Sequence, residues 1–267
     1  MTDWLTVDRG SAPLIVSMPH IGTWIPDEIA TDLASAERAL RDADFHIDRL
    51  YGFATSLGAT VVRTSVSRTV IDVNRDPSGA SLYPGQATTA LCPVETFDGE
   101  PLYRDGEAPD DAEIARRRAA YFDPYHAALA AEIDRLRGLH PRIVLYDAHS
   151  IRSHVPRLFE GELPQFNIGT DGGATCDSAL SAAVETACDA SGLSRVTNGR
   201  FRGGWITRHY GDPARGIHAI QMELAMRGYL DERGAWPPLW NESAAEPLQA
   251  TLRHIINSCL DFAREDQ

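Results

Sequence analysis

Apolar residues in this chain fall into two kinds of run. The short ones each centre on adjacent apolar residues: Leu14–Met18 (LIVSM), residues 60–63 (TVVR), 143–146 (IVLY) and 218–222 (HAIQM). Each gives way to polar or glycine-rich sequence, the pattern of a strand buried on both faces. The first stops at Pro19 and His20, and the third at Asp147, Ala148 and His149. A further strand is expected at residues 204–207 (GWIT).

The longer stretches, residues 35–57, 110–138, 176–191 and 244–263, are spaced as helices. In the first, Leu40, Ile47, Leu50, Tyr51 and Ala54 share one stripe at about 100° per residue. Asp44 lies at the edge of that stripe and Asp48 a little further round. The second stretch should break near Asp123 and Pro124, because proline disfavours helical geometry in the residue before it. Alternating strands and helices predict one α/β domain over residues 1–267, a mixed, largely parallel sheet with helices on both faces. Residues 75–108 and 153–175 are long for simple connections and are expected to form or cover a site.

Composition narrows the function. The chain is 43% hydrophobic and 24% charged, ordinary for a soluble globular protein. A net charge of −13 argues against nucleic acid and anionic membrane as partners, since both need a basic face. No apolar run is long enough to cross a bilayer, and the first residues lack the basic start and apolar stretch of a signal peptide. Cys92, Cys176, Cys188 and Cys259 are scattered without a C-x-x-C pair, as expected of free thiols in a reducing cytoplasm.

Ligands of open α/β sheets gather beyond the carboxyl ends of strands. There this chain places His20, His149 with Asp147 two residues before it, and Glu223. Two histidines and a carboxylate are the makings of a catalytic zinc site, which uses three protein ligands and keeps one position open. Either Asp44 or Asp48 can supply the third ligand, being i, i+4 neighbours beside the apolar stripe. The segment SRTVIDVNRDPSG carries Arg68, Asp72, Asn74 and Arg75. A second basic cluster, GRFRGGWITRHYGDPARG, carries Arg200, Arg202, Arg208, His209 and Arg215. Arginine suits carboxylate recognition and oxyanion stabilisation, so Arg202 and Arg208 join the candidates for binding an anionic substrate. A serine hydrolase built on Ser150 lacks the G-x-S-x-G elbow, and the glycine-rich TDGGA and RGG segments fit no nucleotide fingerprint. A non-catalytic metal or solute binder would retain the ligands without needing Glu223 as a base.

The motifs SMPHIG, DFHIDRLY, SRTVIDVNRDPSG, YDAHS and HAIQMELA, in this order over nearly the whole chain, resemble the N-formylglutamate amidohydrolase family. That family is related in architecture to zinc carboxypeptidases and aspartoacylase. DVNR is similar to the DLNR element of aspartoacylase-like enzymes. The resemblance implies that Asn74 and Arg75 hold a substrate carboxylate, Arg68 polarises the scissile carbonyl and Glu223 is the general base. It also implies a divalent metal, zinc by ligand type, hydrolysis of the dianionic N-formyl-L-glutamate, and a late step of histidine degradation. A related acylase or carboxypeptidase acting on another N-acylated amino acid is the nearest alternative. The chain departs from the carboxypeptidase H-x-x-E pattern, because Ile21, Gly22 and Thr23 follow His20. The carboxylate ligand must then come from elsewhere, and Asp44 is put forward with His20 and His149.

Overall fold

The computed structural model describes residues 4–82 and 85–265. Seven strands among them form one sheet: β1 (Leu5–Asp8), β2 (Leu14–Met18), β3 (Thr60–Thr64), β4 (Ile143–Ile151), β5 (Phe166–Gly169), β6 (Arg195–Thr197) and β7 (Ile217–Ala225). Their order is β1-β3-β2-β4-β7-β5-β6. The central run β3-β2-β4-β7 is parallel, while β1 and β5 join it antiparallel. The sheet is therefore mixed and largely parallel, as the alternating pattern requires.

Helices cover both faces, and the period of two along each strand decides which residues meet which helix. Leu14, Val16, Tyr146, Ile220 and Met222 pack on one side with the helices Ser178–Asp189 and Glu242–Arg264. Ile15, Val62, Leu145 and Ala219 pack on the other with Tyr125, Leu129 and Leu136 of the helix Asp123–Arg137. Each large apolar side chain so buried contributes about 1.5–3 kcal/mol by leaving water.

Several elements differ from the sequence reading. Residues 35–57 are not one helix but the short helices Ala36–Ala39 and Ile47–Leu50 and the 3₁₀ turn Ala54–Leu57. His46 sits at φ 62°, and the Asp44 N–H donates to the His20 carbonyl at 2.9 Å. Docking on the segment after β2 thus replaces helix continuation, although Ile47, Leu50, Tyr51 and Ala54 are still buried. The expected break at Asp123 and Pro124 does not occur. A π-helical turn, Arg118–Phe122, widens the helix just before the proline, which enters at the start of the next segment where it is tolerated. Residues 204–207 fold into the helix Trp205–Tyr210 instead of a strand, because distant side chains satisfy its first N–H groups. Gln221 Oε1 accepts from Gly204 N at 2.7 Å, and Asn74 Oδ1 from Ile206 N at 2.7 Å. The expected loop at residues 153–175 contains β5, whose run of four residues carries too little pattern to announce itself. The loop at residues 75–108 has no helix or strand among its described residues, and its residues 83–84 lie outside them.

Candidate active site

β4 and β7 run well past their apolar starts, so the candidate residues His149 and Glu223 lie within these strands and not beyond them. On one face of β4 the sequence reads Ile143, Leu145, Asp147, His149, Ile151, and on the same face of β7 Ile217, Ala219, Gln221, Glu223, Ala225. That face begins in the apolar core, turns ionisable, and becomes apolar again against Phe97 and Val155. Parallel register sets Asp147 beside Gln221 and His149 beside Glu223. His20 arrives from the end of β2, whose following turn lies against Ser65 and Val66. Gly22 permits that approach, since a Cβ there would stand 2.1 Å from the Val66 carbonyl.

The two imidazoles are oriented from behind. His20 Nε2 faces Asp72 Oδ1 at 2.7 Å, and His149 Nε2 faces Asp147 Oδ2 at 2.8 Å. The opposite ring nitrogens turn toward Asp44, whose Oδ2 is 3.2 Å from His149 Nδ1 and 3.7 Å from His20 Nδ1. Ligand atoms of His20, Asp44 and His149 lie within 4.8 Å of one another, and all three residues are buried. His20 Nδ1 and Asp44 Oδ1 have no hydrogen-bond partner although they are sealed from solvent. Buried polar atoms are seldom left so, and a cation among these three residues would satisfy both. Two imidazoles and a carboxylate suit a divalent ion, with Asp72 and Asp147 fixing the rings. Asp48 is exposed and takes no part.

The same carboxylates and arginines set the charge around the triad. Burial opposes a proton on His149, yet Asp147 and Asp44 outweigh it and lift its pKa well above the usual value. Burial, aided by Arg68, lowers that of His20 despite Asp72 and Asp44. Asp72 is itself buried, but Arg68, Arg75 and His20 hold its carboxyl well below the usual range. It is a hub: besides His20 it accepts from Arg68 Nη2 at 2.6 Å and from Asn74 N at 2.9 Å, with Arg75 Nη2 at 3.6 Å. Burial pushes the Glu223 carboxyl up to about 8 against the pull of His149 and Arg68. A carboxyl poised there can take and return a proton near neutrality.

His20, Arg68, Asn74, Arg75, His149 and Glu223 all line one cleft. Asn74, however, is already engaged. Its Nδ2 donates to Asp147 Oδ2 at 2.9 Å and lies 2.9 Å from His149 Nε2, while its Oδ1 holds Ile206 N. Even Gly204 must lack a side chain, because a Cβ there would come within 2.6 Å of the Asn74 amide. Arg202 and Arg208 do not line the cleft. Arg202 is exposed, and Arg208 turns to the Gly203 carbonyl at 2.9 Å and to Asp171 at 3.3 Å. The cation that this basic cluster does bring to the cleft is Arg200, joined by Arg157 from the other long loop. Gln221 also lines it and was not anticipated, because only the β4–β7 register puts it there.

Sheet and site together define a candidate metallohydrolase of mixed α/β architecture, with an arginine-lined cleft. The chain belongs to the N-formylglutamate amidohydrolase family, whose sequence profile matches residues 12–230. It is 47% identical to the N-formylglutamate deformylase of Pseudomonas aeruginosa over 266 residues, 99% of each chain. It is 46% identical to that of Pseudomonas putida over 262 residues, 98% of this chain and 97% of that one. The crystal structure of an N-formylglutamate amidohydrolase from Ralstonia eutropha JMP134 has the same fold, with a TM-score of 0.83 at 22% identity over 99% of each chain.

Proposed function

We propose that this protein hydrolyses N-formyl-L-glutamate to formate and L-glutamate, with a divalent ion, zinc by donor chemistry, held by His20, Asp44 and His149. The observation that carries this reading is the buried triad with its two unpartnered ligand atoms, set beside Glu223 in a cleft rimmed by arginines. The relatives' names supply the substrate. Bound there, the ion supplies Lewis acidity toward water and a carbonyl oxygen.

The chain's own residues do the rest. Glu223 takes a proton from the attacking water as its oxygen adds to the formyl carbon. It returns that proton to the amine nitrogen as the C–N bond breaks. Arg68, fixed by Asp72 and stacked over Phe97 at 4.8 Å, presents positive charge to the oxyanion. Arg75 receives a substrate carboxylate. Asn74, from its bonds, contributes by holding Asp147, the partner of His149, and the helix Trp205–Tyr210 in place. On this reading the reaction is a late step of histidine degradation in the cytoplasm. Four buried free cysteines accord with a reducing compartment, and no helix of the described residues is long and apolar enough to cross a membrane.

The test is formate release from N-formyl-L-glutamate by purified, metal-replete protein. Exhaustive chelation should abolish turnover, and a divalent ion should restore it. Full activity in demonstrably metal-free protein would overturn the metal assignment.

A further inference from the structure

Arg200 reaches the cleft from a turn preceding the helix Trp205–Tyr210, and its guanidinium is held in place. Its Nε donates to the Leu158 carbonyl at 2.8 Å and its Nη2 to the Ala87 carbonyl at 2.7 Å, beside the Phe201 ring at 5.5 Å. Arg75 is held by the same strip of chain, with Nε donating to the Thr89 carbonyl at 3.2 Å and Nη2 to Thr89 Oγ1 at 3.0 Å. Ala87 and Thr89 are two residues apart, so at most about 7 Å of chain separates the two anchor points. Arg75 is the inner of the pair, since it also approaches Asp72, the residue that orients His20. The outer one, Arg200, hangs between the two long loops.

A glutamate-type substrate has matching proportions. Its α-carboxylate is two bonds from the amide nitrogen and must sit close to the reacting carbonyl. Its side-chain carboxylate is four bonds from that nitrogen, and the two carboxyl carbons are roughly 5 Å apart when the chain is extended. Resting on the reading that the substrate is an N-formyl dicarboxylic amino acid, we infer that Arg200 is the specificity-determining residue. It receives the side-chain carboxylate, while Arg75 receives the α-carboxylate. The forked guanidinium, held by two backbone carbonyls, is pre-oriented for a carboxylate and poorly matched to a neutral amide.

The experiment compares metal-replete wild type, Arg200→Gln and Arg200→Lys with N-formyl-L-glutamate and N-formyl-L-glutamine. Calorimetric titration of L-glutamate and L-glutamine gives a readout that does not need turnover. Wild type should favour the glutamate derivative. Arg200→Gln should lose roughly 10- to 150-fold in kcat/KM on it, mainly through KM, and change less than about threefold on the glutamine derivative. Affinity for L-glutamate should fall in parallel, and Arg200→Lys should recover part of both losses. If wild type discriminates and Arg200→Gln discriminates equally, the role of Arg200 is overturned while the substrate reading stands. Equal losses on both compounds overturn it too, because they report a general disturbance of the cleft. A wild type that treats both compounds alike overturns the two-carboxylate reading and this inference with it.

Discussion

Replacing Glu223 by glutamine separates chemistry from stability, because the two should move in opposite directions. Glutamine keeps the shape, and the carboxylate's contact with Gln221 Nε2 is a long 3.4 Å, so the exchange breaks no short hydrogen bond. Metal content should hold, since Glu223 is not among the three converging residues. Turnover should fall by roughly 10²–10⁴, or ~2.7–5.5 kcal/mol in the barrier, if a general base has been lost. Stability of the metal-free protein should rise. Burial lifts the carboxyl from an ordinary 4.5 to about 8. Between those values the folded state binds the extra proton, so stability is full below pH 4.5 and declines as pH rises through 8. At pH 7 the decline amounts to about 3 kcal/mol, which a neutral amide does not suffer. Urea unfolding of the metal-free proteins from pH 4.5 to 8, with formate assays and metal analysis of the loaded forms, measures all three quantities. A kcat within about fivefold of wild type would refute the base and leave Glu223 a structural role. Loss of metal would recast Glu223 as a ligand. Equal urea stability at pH 8 would refute the burial argument.

Asp44→Asn should strip the metal on dialysis while Asp48→Asn retains it, since Asp44 faces both histidines and Asp48 faces solvent. Atomic absorption decides, and the opposite result would overturn the triad. Asp147→Asn weakens the group that accepts from His149 Nε2, Ser17 Oγ and Asn74 Nδ2. Competition with a chelator should show metal affinity down roughly 10- to 100-fold, and unchanged affinity would leave Asp147 a packing role only. His126, partly buried with Nε2 on the Val73 carbonyl at 2.8 Å, has its pKa lowered by burial to about 4. Its neutral form stabilises the fold fully above pH 6.5, and that contribution, on the order of 2 kcal/mol, disappears as pH falls toward 4. His126→Gln should flatten urea stability across that window, and an unchanged slope would refute the assignment.

The architecture was legible because burial on both faces leaves a local signature. Leu14–Met18 reads as a strand and is one, and the apolar starts of β4 and β7 are just as plain. His20, His149 and Glu223 were legible for the related reason that ionisable groups rarely follow such runs without a purpose. The carboxylate was only half legible. The stripe through residues 35–57 singled out Asp44 and Asp48 by helical geometry, but the chain breaks at His46 and makes no such helix. Asp44 reaches the histidines because its backbone docks on the His20 carbonyl, a contact between segments that spacing cannot express. The sequence puts Arg202 and Arg208 forward and nothing in it favours Arg200, yet of the three it is Arg200 that the fold turns into the cleft. The family resemblance implies a substrate carboxylate for Asn74, whereas in the fold its side chain spans Asp147, His149 and Ile206. The sequence by itself determined which segments are buried and which residue types carry the chemistry, since hydrophobic period and ionisable character are local. Only the tertiary structure decided which of those groups converge, because hydrogen bonds and strand register between distant segments set their final distances.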